Sequence, residues 1–160
     1  MDTFPIVKEP TPSLRQRSRE VEVSEIQTPE FQAYLDKLTR TMLVEDGVGI
    51  ASPQVGNNIR AIVVNMPKGP ECFMNPEIVK KTDAMVDSDE GCLSVPGKYG
   101  IVQRHKKVTL RALNRHGRRV EFEAKAFPAI IFQHEIDHLD GILFIDKAKN
   151  IVKATTGKHI

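Results

Sequence analysis

Apolar positions recur along this chain with two different periods. Phe31, Leu35, Leu38 and Met42 follow one another at steps of four, three and four, the spacing of one buried face of an α-helix. Thr28, Pro29 and Glu30 just before them supply an N-cap, a first-turn proline and a first-turn carboxylate. A helix is therefore expected over about 29–45. From Ile59 the period changes. Ile62-Val63-Val64, within 59–65, reads as a buried strand, and further strands are expected over 72–80, 84–88, 108–113 and 120–124. Pro76 interrupts the second of these, which puts it at a sheet edge or a bulge. Asn114-Arg115-His116-Gly117-Arg118 joins the last two as a hairpin-like connection. Pro5, Pro10 and Pro12 make the start extended or turning, with a short helix expected over 13–21.

One stretch is apolar nearly all the way round a helix: Phe127 to Gly141, with Ala129, Ile130, Ile131, Phe132, Ile136 and Leu139. Such a helix is buried rather than amphipathic. Pro128 suits its first turn and Gly141 its end. The order is two helices, several antiparallel strands and then the buried helix, without βαβ alternation. The expected class is α+β: antiparallel β-sheets packed around a central buried helix.

Composition narrows the picture. A chain of 160 residues with 40% hydrophobic and 28% charged residues reads as one domain over 1–160. A net charge of +2 without a basic block does not suggest a nucleic-acid partner. No apolar run approaches membrane-spanning length, and no basic segment precedes an apolar one at the start. Cys72 and Cys92 fit a reducing cytoplasm better than a disulfide. The basic end after Asp146, with Lys147, Lys149, Lys153 and Lys158, is expected to be a solvated, flexible tail over 146–160. Contact of that tail with ribosomal RNA is the second reading.

The buried helix carries polar residues that need compensation. His134 and His138 are four apart, which puts both imidazoles on one face, one turn apart, where a single metal ion can be held. Glu135, rotated about a quarter turn around the helix, reaches a metal-bound water without being a ligand. The alternative is a hydrogen-bonded core helix with incidental polar residues. Two histidines leave a catalytic site one protein ligand short. Asp140, Asp146 and His159 follow His138, but no glutamate does. Upstream, Cys92 offers a thiolate and Gly91 a close backbone approach; on spacing alone, ligand and small buried hydrophobe are equal readings of Cys92. Residues 46–56 form a glycine-rich loop. Ser52 stands where a dinucleotide loop needs glycine, and the loop follows a helix, so the nucleotide reading fails. What remains is either a plain turn or backbone brought close to a ligand.

Three segments together resemble the peptide deformylase family. Gly47-Val48-Gly49-Ile50-Ala51-Ser52-Pro53-Gln54 is similar to its first motif, with Ile50 in place of leucine and Ser52 in place of alanine. Glu90-Gly91-Cys92-Leu93-Ser94 and His134-Glu135-Ile136-Asp137-His138-Leu139 match the second and third in full, and the similarity spans roughly 5–146. The resemblance implies a metal-dependent hydrolase that removes the formyl group from N-terminal formyl-methionine of newly made polypeptides. It implies Cys92, His134 and His138 as ligands of one divalent metal, Fe²⁺ natively, with Zn²⁺ or Ni²⁺ able to occupy the site. Water activated there attacks the formyl carbon. Glu135 is the general acid and base, and the Gln54 amide and the Leu93 N–H stabilise the oxyanion. Gly49 and its neighbours, including Ile50 and Gly91, would lie along the peptide. Val48, Phe127, Ile130 and Ile131 would line an apolar slot for the methionine side chain. Arg104, Glu90 and Asp137 are candidates for a charge cluster behind the metal. The partners expected are formyl-methionyl nascent chains and, transiently, the ribosome; the protein is expected to be a cytoplasmic monomer. The other function classes are a small metallopeptidase, against which the upstream cysteine speaks, and a catalytically silent binding module, against which Glu135, Gln54 and Leu93 speak.

Overall fold

The computed structural model describes residues 2–154 and 159–160. Antiparallel pairing builds a five-stranded sheet in the order β1-β2-β3-β6-β7 and a three-stranded sheet in the order β4-β5-β8. The first comprises β1 (Gly49–Ala51), β2 (Ala61–Met66), β3 (Gly69–Lys81), β6 (Lys107–Leu113) and β7 (Arg119–Lys125). The second comprises β4 (Met85–Cys92), β5 (Val95–His105) and β8 (Lys149–Lys153). Three α-helices accompany them: α1 (Val23–Ile26), α2 (Pro29–Val44) and α3 (Ala126–Leu139). No helix among the described residues is long and apolar enough to cross a membrane.

The continuous apolar run of β2 has a direct cause. Ile62 and Val64 belong to the cluster shared with Ile131, Phe132, Ile136 and Leu139 of α3. Ala61 and Val63 belong to the cluster shared with Leu35, Leu38 and Met42 of α2. The large sheet is thus covered on both faces, and a strand buried on both faces shows no alternation. At α2 the Thr28 hydroxyl accepts from the Phe31 N–H at 3.2 Å and Pro29 opens the helix. Asn114 closes the β6–β7 turn by accepting the N–H groups of His116 and Arg118, while Gly117 takes φ +77°.

Several expectations are corrected. No helix forms over 13–21. Pro12–Arg15 make a 3-10 turn, and the chain then runs extended to α1. Its backbone groups find distant partners instead: Ser18 N–H donates to Leu139, and Arg19 pairs with Asn58 and Arg60. Pro76 does sit at a bulge, between Met74 and Glu77, but β3 is an interior strand rather than an edge. The 46–56 loop contains the short strand β1, and β5 was not anticipated. The basic tail expected to be flexible is, over Lys149–Lys153, an exposed strand on β5. The edge of β5 offers unpaired backbone groups, which pair whatever the side-chain polarity. Lys158 lies outside the described residues.

Candidate active site and metal centre

Helix α3 presents His134 and His138 on one side, with ring centroids 5.0 Å apart. The end of β4 brings Cys92 to them, with its Sγ 3.3 Å from His138 Nε2. One ligand atom from each of Cys92, His134 and His138 lies within 4.8 Å of the others, and all three residues are buried. The donor set fits a divalent ion. His134 is oriented by Glu90, whose Oε1 is 2.8 Å from Nδ1. That leaves His134 Nε2 buried and without a hydrogen-bond partner among the described residues. A buried unpaired imidazole nitrogen is costly unless something such as a metal takes it.

Glu135 lies beside this cluster, fully buried, with neither carboxylate oxygen hydrogen-bonded among the described residues. β1 crosses it closely: a Cβ on Gly49 would stand 2.5 Å from Glu135 Oε2 and 2.7 Å from Ile131 Cγ2, so only glycine fits there. Gln54 is anchored by the Ala51 N–H, which donates to its Oε1 at 3.0 Å. Its Nε2 then donates to Ser94 Oγ at 3.2 Å and to Cys92 Sγ at 3.5 Å.

Behind His134 runs a chain of alternating charge. Arg104 forks onto Glu90 through Nε at 2.9 Å and Nη2 at 2.8 Å. Its Nη1 reaches Asp137 at 2.7 Å, and Lys147 closes the far end on Asp137 at 3.1 Å. Burial pushes the Glu90 carboxyl up, but the hydrogen bonds from Arg104 and His134 outweigh it and hold it at about 2. Arg104 is raised for the matching reason: Glu90 and Asp137 overcome its burial. Burial first, and then the charges of Glu90 and Asp137, push Glu135 up to about 7 against the opposing charges of His134 and Arg104. For His134, burial is outweighed by the Cys92 sulfur and Glu90, which raise it to about 10. His138 is lowered by burial and then by the charges of His134 and Arg104. A metal ion bound by these residues would replace the His134 proton, since imidazole ligates only when neutral.

Arg104→Met is predicted to cost about 3–5 kcal/mol, because it strips the buried Glu90 of its bidentate cation, leaving only His134 beside it, and takes the same cation from Asp137. Lys147→Ala, at the half-exposed end of the same chain, should cost at most about 1 kcal/mol. Urea unfolding of both variants checks this, and equal losses would refute the grading by burial.

The structure brings together Cys92, His134, His138, Glu135 and Gln54, with Leu93 next in chain and 7% exposed. Gly49 and Ile131 lie against Glu135, and Val48 and Ile130 pack half-buried on the same apolar cluster as Ile131. Gly91 is buried beside Cys92. The Ile50 side chain faces the other way: on β1 it alternates with Gly49 and joins the α2-side cluster. Its place expected along the peptide concerns the backbone of β1 rather than this side chain. Phe127, 46% exposed, stands at the open start of α3 rather than in a buried wall. Ser94 and Lys147 had been given no role. Ser94 closes the Glu-Gly-Cys-Leu-Ser segment, which was signal enough, whereas nothing local marks Lys147.

A buried thiol and two imidazoles with a carboxylate beside them, held on a helix between antiparallel sheets, define a metal-dependent hydrolase. The polypeptide deformylase family model matches residues 3–154. A peptide deformylase of Desulforudis audaxviator is 45% identical over 154 residues, covering 96% of this chain and 98% of that one. The Met-Ala-Ser-bound crystal structure of the class I type b peptide deformylase from Acinetobacter baumannii superposes with a TM-score of 0.87 at 35% identity, covering 92% and 99% of the two chains. The Thermotoga maritima peptide deformylase superposes with a TM-score of 0.87 at 34% identity, covering 93% and 99%. The chain belongs to the polypeptide deformylase family, metal-dependent hydrolases that remove the formyl group from N-terminal formyl-methionine.

Proposed function

We propose that Cys92, His134 and His138 hold one divalent ion and that Glu135 carries the proton in this deformylation. The observation that supports it best is the closeness of three buried ligand atoms to a carboxylate with two unpaired oxygens. An ion bound there supplies a Lewis acid that activates water near neutral pH and polarises the formyl carbonyl. Glu135 takes the proton from the attacking water and delivers it to the leaving amine, which releases formate and a free methionine amine. The Gln54 amide and the Leu93 N–H donate to the oxyanion that develops on the formyl oxygen. Gly49 lets the peptide backbone approach. Val48, Ile130 and Ile131 line the slot for the methionine side chain, whose burial contributes roughly 1.5–3 kcal/mol.

One thiolate among the donors suits Fe²⁺ or Zn²⁺, and the family resemblance favours Fe²⁺. We assign this work to a single domain over 1–160, acting as a monomer in the cytoplasm and meeting the ribosome only transiently. The test uses anaerobically purified protein and formyl-Met-Ala-Ser, with formate release and elemental analysis as readouts. One iron per chain is expected, with activity that decays in air while a nickel-substituted form persists. No formate from metal-replete protein overturns the function, and equal lifetimes of the two forms overturn the choice of iron.

A further inference from the structure

The groups proposed to hold the metal, move the proton and supply the oxyanion amide are shut away from solvent, and of the proposed machinery Leu93 alone lines one of the surface cavities. Cys92, His134, Glu135, His138 and Gln54 are each 2% exposed or less. None of them lines the cavities of 1110, 580 and 350 Å³ in the surface. A peptide substrate must nevertheless reach them.

One short segment lies beside Gly91 and Leu93. The Ile160 N–H donates to the carbonyl of Gly91, the neighbour of Cys92, at 3.1 Å. The Ile160 side chain is 2% exposed and sits in the apolar cluster that contains Ala129 and Ile131, against which Val48 and Ile130 pack. His159 before it stacks on Tyr99 with 6.0 Å between centroids, and its Nε2 is 3.2 Å from the Tyr99 hydroxyl. His159 also lines the 350 Å³ cavity beside Leu93. Ile160 therefore offers a backbone donor paired to the residue before Cys92 and one apolar side chain buried in the core cluster that holds Ile131. An extended peptide with an apolar side chain would present the same two features.

We propose that His159–Ile160 is an internal pseudo-substrate strap. Ile160 fills the side-chain slot and takes the Gly91 carbonyl, and formyl-methionyl peptides bind only when the strap has left. This rests on the slot reading given above. Among the described residues the hold is slight: one backbone hydrogen bond, one buried side chain, one ring pair and its hydroxyl contact. The apolar residues of β8, which precede it in the chain, are about half exposed, Ile151 at 45% and Val152 at 56%. A site that is mostly strapped shut shows an apparent affinity lowered by the fraction of molecules that are open. Ile160 never touches the reacting atoms, so its removal should change access and leave the chemistry alone.

The experiment uses the full chain. In nickel-loaded protein, Ile160→Gly and Ile160→Asp should lower KM for formyl-Met-Ala-Ser by about tenfold at unchanged kcat. Tyr99→Phe should do so to a smaller extent. A second readout needs neither metal nor turnover: alkylation of Cys92 by iodoacetamide in metal-free protein, in a Cys72→Ala background. The Ile160 variants should label about tenfold faster than the parent. Unchanged labelling overturns the strap, whatever the activity. A raised KM also overturns it and makes Ile160 a wall of the slot. If neither parent nor variants release formate, the reading of function fails, and the labelling rates still decide whether Ile160 closes the site.

Discussion

Glu135→Gln should keep the metal and lose turnover by about 10²- to 10⁴-fold, the usual contribution of a positioned general acid–base. The substitution is nearly isosteric and removes only the ability to take a proton. Glu135 is not one of the three residues whose ligand atoms converge, so elemental analysis should find the parent metal content. The fold should not suffer. Both carboxylate oxygens are buried without a hydrogen-bond partner among the described residues, and replacing a buried charge by a neutral amide removes a desolvation penalty. The melting temperature is therefore expected to hold or rise while kcat/KM collapses. A merely structural residue would show the opposite split. If turnover falls by less than about tenfold, well below a general-base contribution, Glu135 is not the proton carrier.

How much of this could be read from the chain depends on whether the cause was local. α2 and α3 were legible because an apolar stripe and an all-round apolar helix are written in consecutive residues. β2 was legible for the same reason, its run being buried on both faces. The extended segment over 13–21 was not, because its conformation is set by Leu139, Asn58 and Arg60, far away in sequence. β1 is three residues long, too short to show a period, and Gly97 and Gly100 interrupt β5. In the site, His134 and His138 announce themselves by a spacing of four, but nothing near Cys92 says that it meets them. That pairing needed the family resemblance before the structure and the β4–α3 contact after it. The bidentate Arg104–Glu90 pair joins residues 14 apart on adjacent strands, which a motif can suggest and only a register can establish. The direction of the Ile50 side chain could be read only once β1 was seen as a strand, where alternation sends it to the α2 side. Ile160 carried no signal at all.

The assignment of Cys92 makes the sharpest demand on the metal. Cys92→Ala should leave the protein folded and unable to retain its ion. Two imidazoles one turn apart are only part of a tetrahedral set, and a catalytic site uses three protein ligands. The thiolate also brings the only formal negative charge among the three donors, and Gln54 donates to its sulfur. Losing it should drop metal content after dialysis from one ion per chain to about a tenth or less. His138→Ala should do the same. The fold should tolerate Cys92→Ala, because the sulfur packs in a small cluster with Val95, Val102, Leu143 and Phe144, and its removal leaves a cavity of atomic size. Cys72 provides the control. It is equally free and buried, but it lies in the α2-side cluster, next to Thr39. Cys72→Ala should keep the metal in full, so that generic loss of a thiol cannot mimic the result. Full occupancy in Cys92→Ala, measured on folded protein, would remove Cys92 from the ligand set and return the third position to an unidentified donor.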